Sequence, residues 1–108
     1  MTTGTSPKGY WIARVDVGDE EAYARYRALN AIAFAKYGGR FLVRGGPYEL
    51  AKGTARKHNV VIEFPSEAQA QACYHSPEYK AALVHLKQVG ETDLIIIAGH
   101  VGAQPGDA

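Results

Sequence analysis

Cysteine is nearly absent from this chain: Cys73 stands alone among 108 residues. Without a second thiol there is no intramolecular disulfide framework, and nothing points to an oxidising compartment. An excess of charge of one sign is missing as well. Twelve basic and 11 acidic side chains leave a formal net charge of +1, which removes the electrostatic footprint of a nucleic-acid binder. Long apolar runs are also missing. The longest aliphatic run, Leu94 to Ala98, is far too short to cross a bilayer, and "MTTGTSPKG" has no apolar core of a signal peptide. These absences predict a cytoplasmic protein with neither nucleic acid nor membrane as partner. No H-x-x-x-H pair occurs among His58, His75, His85 and His100, so no metal or other cofactor is expected.

What is present is an apolar fraction of 46%, enough for one globular domain. A chain this short buries only about two-thirds of its unfolded surface, so a partner subunit would add much to its stability. The domain is expected over residues 8–99, with residues 1–7 and 100–108, rich in Gly, Ser, Thr, Pro and Ala, as flexible tails.

The pattern along the chain alternates between periods. "GYWIARVDV" (9–17) is β-branched and aromatic and predicts a strand, with Trp11, Ala13, Val15 and Val17 on one face and Tyr10, Ile12, Arg14 and Asp16 on the other. Asp19 supplies an N-cap oxygen, and Glu20 and Glu21 face the positive end of a helix dipole. Tyr23, Tyr26, Asn30, Ala33, Phe34 and Tyr37 then recur at helical spacing until Gly38-Gly39. "RFLVRGG" (40–46), with a short extension at "YELA", and "KHNVVIEF" (57–64) predict a hairpin with a long connection or a bulged arm. Ser66, three residues before Gln69, opens a short helix. Ser76-Pro77-Glu78 ends it near His75 and starts another, whose buried stripe is Tyr79, Ala82, Leu83 and Leu86. "DLIIIAG" (93–99) is the last strand.

The order β-α-β-β-α-β, with the second helix interrupted, predicts an α+β ferredoxin-like fold: a four-stranded antiparallel sheet with the helices on one face. The other face ought then to be polar. Instead Ile12, Val61, Ile95 and Ile97 fall on it, an apolar patch that a second copy of the chain would cover. A homodimer through the sheet face is therefore expected. RNA-recognition domains share this element order, and Lys57, Ile62 and Phe64 superficially match their third strand. Where their stacking aromatics stand, however, this chain has Asn59 and Val61.

"GYWIARVDV", "KYGGRFLVRGG", "VVIEFPS" and "YHSPEYKAA", in this order, resemble the successive motifs of domain-of-unknown-function family 1330, within the dimeric α+β barrel superfamily. The resemblance runs over roughly residues 8–99 and implies a ferredoxin-like subunit that pairs sheet to sheet into a barrel. That family assigns no catalytic residues. Superfamily relatives include cofactor-free monooxygenases, lactone isomerases and haem-degrading enzymes, whose ligands usually sit between helices and sheet.

The candidate site is drawn from that side. Asn30 interrupts an apolar helix face, where a buried amide needs a partner: a strand carbonyl, a Tyr hydroxyl or a ligand. Tyr26 and Tyr79 bring rigid amphipathic surface suited to an aromatic ligand, though most such tyrosines are core. His75 lies in a stretch that is mainly a helix restart, yet a histidine there suits proton transfer near neutral pH. Arg44 either holds a substrate carboxylate or pairs with Asp16 or Glu63 at a dimer seam. Catalytic roles are thus expected for His75, Asn30 and Tyr26, and ligand binding for Arg44 and Tyr79. Cys73, among alanines, is expected to be an inert buried thiol. The expected function is a small homodimeric, metal-independent enzyme acting on an aromatic or carboxylated metabolite. The alternative is a non-catalytic dimer that binds a metabolite or a protein.

Overall fold

A computed structural model describes residues 7–107. The first strand, β1 (Gly9–Val15), buries Trp11, Ala13 and Val15 on one face. It stops two residues short of expectation because the chain turns away at Asp16. There the Asp16 N–H donates to Glu91 O and the Gly18 N–H to Val89 O, while the Asp16 carboxylate accepts from Arg56 (2.6 Å) and the Lys57 N–H (3.0 Å).

Helix α1 (Glu20–Tyr37) begins as its sequence predicts, the Asp19 carboxylate accepting from the Ala22 N–H. It ends at Gly38, whose φ of 78° is the left-handed conformation that glycine adopts without a Cβ penalty. Its buried face carries Ala22, Tyr23, Tyr26, Asn30, Ala33 and Phe34.

Strand β2 (Arg40–Arg44) ends before the predicted Gly46, since Gly45 turns left-handed at φ 67°. No strand forms at 48–51; residues 45–55 are exposed irregular chain leading to β3 (His58–Phe64). Helices α2 (Glu67–Tyr74) and α3 (Pro77–Val89) meet at Ser76, whose hydroxyl donates to Cys73 O (2.7 Å) and accepts from the Tyr79 N–H (3.1 Å). One side chain thus closes the first helix and caps the second. Strand β4 (Thr92–Ala98) completes an antiparallel sheet in the order β2-β3-β1-β4. This is the ferredoxin-like α+β fold, with all three helices against one face. The tail expected at residues 1–7 lies, for residues 1–6, outside the described residues; residues 100–107 carry no helix or strand.

Trp11 organises the core. Its ring stands 4.9–5.8 Å from those of Phe34, Phe64, Tyr74 and Tyr79, and its indole N–H donates to Ala70 O at 2.8 Å. On the bare face, register aligns one aliphatic row across all four strands, Val43–Val61–Ile12–Ile95. Ile12, Val43, Ile95 and Ile97 are 39%, 44%, 53% and 45% exposed. Polar groups bound this band. At one end Arg56 bridges Asp16 and Asp93, which also pairs with Arg14. At the other the Tyr10 hydroxyl donates to Glu63, which pairs with Arg40.

The Arg56 cluster yields a pH prediction. The Lys57 N–H and then Arg56 hold the Asp16 carboxyl below its ordinary value, and Arg56 first and then Arg14 do so for Asp93. A lowered folded-state pKa adds stability above the unfolded carboxylate value of about 4, and that stability is lost as pH falls through the folded one. Denaturation midpoints measured from pH 7 down to pH 3 should therefore fall more steeply for the wild type than for Arg56→Gln. Parallel curves would show that the cluster contributes nothing.

Candidate functional site

Ala13 is the smallest side chain in the second row of the helix-side face, Arg44–Val60–Ala13–Leu94. Its methyl leaves a dip in the sheet, and α1 spans that dip without filling it. The result is an open cleft between α1 and the sheet. Its walls are mainly apolar and aromatic: Trp11, Phe34 and Phe41 on one side, Val60, Ile62 and Leu94 along the floor, and Tyr23 toward the opening. Such a recess, apolar with a few convergent polar groups, is the usual form of a small-molecule site.

The convergent polar groups come from α1 and β2. Tyr23, Arg27, Asn30 and Phe34 succeed one another at i, i+4, i+7 and i+11, so one helical stripe delivers all four to the cleft. Asn30 and Tyr26 are both buried on its wall. The Tyr26 and Tyr79 hydroxyls lie 2.7 Å apart, and Asn30 follows Tyr26 by one helical turn on the same wall. Burial pushes the Tyr26 phenol above its ordinary pKa, partly offset by Tyr79 and Asn30. Tyr79 is raised further, by burial first and by its neighbour Tyr26. Either hydroxyl can be the donor in this 2.7 Å contact, and with Tyr79 donating the Tyr26 O–H is free for the cleft.

Arg44 reaches this site through an irregularity. Between Phe41, opposite Ile62, and Val43, opposite Val61, β2 contains one residue more than β3. Side chains alternate along a strand, so this bulge at Leu42 flips everything after it. In regular register Arg44 would lie on the bare face. With the bulge it pairs with Val60 and enters the cleft mouth, its guanidinium 4.3 Å from the Phe41 ring. The seam partners considered for it are taken by other arginines, Asp16 by Arg56 and Glu63 by Arg40.

Of the residues expected here, the fold brings Tyr26, Asn30 and Arg44 together. Tyr79 is fully buried behind Tyr26. It faces a separate recess of about 280 Å³ between α3 and β4, beside Thr92, whose buried hydroxyl has no partner. His75 is not brought to the cleft. As the C-cap of α2 it is exposed, its ring edge-on to Tyr74, because the Ser76-Pro77 restart turns that corner outward. Cys73 is fully buried, and burial pushes its thiol up to about 12, as an inert thiol requires. Sequence reasoning missed Ala13, Arg27, Phe41 and His58. Helical spacing from Tyr23 was the available signal for Arg27, and strand alternation from Val60 for His58.

Fold and recess together define the class: a ferredoxin-like α+β protein with an apolar cleft between its helices and its sheet. Within that class, the chain belongs to the family described as a domain of unknown function, DUF1330, whose model matches residues 8–100. Among solved structures it is similar to the methylated RPA0582 protein, at 21% identity and a TM-score of 0.73, covering 94% of this chain and 85% of that one. RPA0582 is a protein of unknown function from Rhodopseudomonas palustris. It is also similar to SnoaB, a cofactor-independent oxygenase from Streptomyces nogalater (14% identity, TM-score 0.61, covering 94% of this chain and 100% of that one). A third similar structure is a dimeric ferredoxin-like protein of unknown function from Jannaschia sp. CCS1 (15% identity, TM-score 0.58, covering 83% and 97%). At these identities the likeness establishes the fold. No curated protein matches the chain.

Proposed function

We propose that the protein is a homodimeric enzyme that acts on a small aromatic metabolite held between helices and sheet, without calling on a metal. The observation that carries this reading is the Tyr79–Tyr26 hydroxyl pair, 2.7 Å apart, beside the buried Asn30 at an otherwise apolar cleft wall. With Tyr79 donating to Tyr26, and Tyr26 in turn to the ligand, each bond polarises the next in low-dielectric surroundings. Donors fixed in this way stabilise negative charge that develops on a substrate oxygen, such as an enolate or phenolate. The description of SnoaB as a cofactor-independent oxygenase supports chemistry of this kind on a similar scaffold. Among the described residues, no group of three or more His, Cys, Asp or Glu side chains comes together.

Dimerisation is supported by the bare sheet face. An aliphatic row bounded by ion pairs at both ends has the apolar centre and polar rim of a protein interface. The similar structures described as dimeric ferredoxin-like proteins agree with it.

A non-catalytic reading has its own support: both phenols hold their protons more tightly than usual, so neither is poised as a base. Two measurements decide. The chain's one tryptophan lines the cleft, so 2-naphthol should quench its emission. Tyr26→Phe and Asn30→Ala should weaken that binding about 5- to 30-fold, the size of one buried hydrogen bond, while His75→Ala leaves it unchanged. Absence of quenching in the wild type would sink the cleft as a binding site. Any molecule that co-purifies should then be converted by the wild type and not by Tyr26→Phe; recovery of it unchanged from both would favour the binding protein.

A further inference from the structure

The six arginines of this chain divide into two groups. Arg14, Arg40 and Arg56 each have a carboxylate within 4.0 Å, and Arg25 bonds His85 and Gln88. Among the described residues, Arg27 and Arg44 have no ion pair, although they come from different elements and line the same opening. Each lies over an aromatic ring, Arg27 at 5.0 Å from the centroid of Tyr23 and Arg44 at 4.3 Å from that of Phe41. Stacking of this kind occupies the flat face of a guanidinium and leaves its in-plane N–H donors available. Two like charges that share one space repel each other, and an anion placed between them reverses the sign of that term.

The space they share is an open side chamber of about 140 Å³, lined also by Tyr23, Gly45, His58 and Val60. Tyr23, Arg27, Arg44 and Val60 line the aromatic cleft too, so chamber and cleft are continuous. No Asp or Glu lines either one. The chamber depends on two local backbone features. The bulge at Leu42 aims Arg44 into it. Gly45, left-handed at φ 67°, closes the end of β2, and a Cβ there would come within 3.1 Å of His58 Nδ1. Glycine at this position therefore lets the His58 ring lie 5.4 Å from Tyr23 at the mouth.

We propose that this chamber is an anion subsite, and that the cleft's ligand is a planar aromatic acid whose ring lies over Ala13 and whose carboxylate is held by Arg27 and Arg44 beside His58. The proposal rests on the reading that the cleft takes an aromatic body, and it adds the ligand's charge and orientation. Carboxylate matches the planar fork of a guanidinium, which offers two parallel N–H donors. Arriving from α1 and from β2, the two arginines hold it from opposite sides.

The test compares 2-naphthoate, 2-naphthol and naphthalene by quenching of Trp11 emission, at fixed ionic strength and a pH where the acid is ionised. The expected result is that 2-naphthoate binds about 10- to 100-fold more tightly than 2-naphthol, the gain of charge-assisted hydrogen bonds. Arg27→Gln and Arg44→Gln should each remove most of that advantage while leaving naphthalene binding as it was. Arg25→Gln, two residues from Arg27 and off the cleft, should change nothing. Equal affinities for 2-naphthoate and 2-naphthol in the wild type would overturn the anion subsite and leave the aromatic cleft standing. Loss of naphthalene and naphthoate binding in equal measure on Arg27→Gln would overturn it as well, since that pattern marks packing against Tyr23 rather than charge. No quenching by any of the three would remove both the subsite and the cleft.

Discussion

Replacing Trp11 with alanine should bring the domain close to unfolding at room temperature. Truncating a fully buried tryptophan costs about 3–5 kcal/mol, which is comparable to the lower end of the roughly 5–15 kcal/mol that holds a domain together. The position is unusually unforgiving because Trp11 meets four other aromatic rings edge-on or tilted and its buried indole N–H is satisfied by the Ala70 carbonyl. Trp11→Ala removes the hydrogen bond to Ala70 O and opens a void among these rings. Trp11→Phe keeps a ring but loses the hydrogen bond, so about 1–3 kcal/mol is expected for it. Urea denaturation followed by far-ultraviolet circular dichroism measures both. A Trp11→Ala midpoint within experimental error of the wild type would mean that the core is not organised around this ring.

The second large effect concerns assembly. In the double variant Ile12→Glu/Ile95→Glu, two carboxylates replace adjacent members of the aliphatic row, and burying each against a partner without a counter-charge costs several kcal/mol. Light scattering should show the wild type at twice the 11.7 kDa chain mass and the variant at that mass, with unchanged circular dichroism because both positions are exposed within the subunit. A wild type that scatters as one chain at micromolar concentration would end the dimer reading. A variant that remains dimeric would move the interface elsewhere. The slab-like shape of the subunit, 49 × 36 × 16 Å, agrees with a protein that has a covered and an uncovered side.

Much of this was legible in the residues because periodicity and capping are local properties. Asp19, Gly38, Ser66 and Ser76 mark helix ends through contacts within three or four positions of themselves, so the fold class followed from their order along the chain. The doubled apolar faces of β1, β3 and β4 could likewise be read from alternation. Tyr26 and Asn30 were legible as cleft residues because they fall on the buried stripe of a single long helix, where spacing determines direction.

The remainder depended on partners distant in the chain. That β1 ends at Val15 follows from bonds to Glu91, Val89, Arg56 and Lys57, none of which the local pattern of β1 contains. His75 and Tyr79 are four residues apart, yet the corner between α2 and α3 sends one to solvent and the other into the core. Arg44 is the sharpest case. Strict alternation along β2 would have turned it toward the bare face, and only the pairing of β2 with β3 shows the extra residue at Leu42 that turns it into the cleft. The sequence by itself determined the elements, their order and the two-sided hydrocarbon of the sheet, because these arise from neighbours in the chain. Tertiary structure alone decided which arginines are paired and which converge on the opening, because register is a relation between two strands and is written in neither of them.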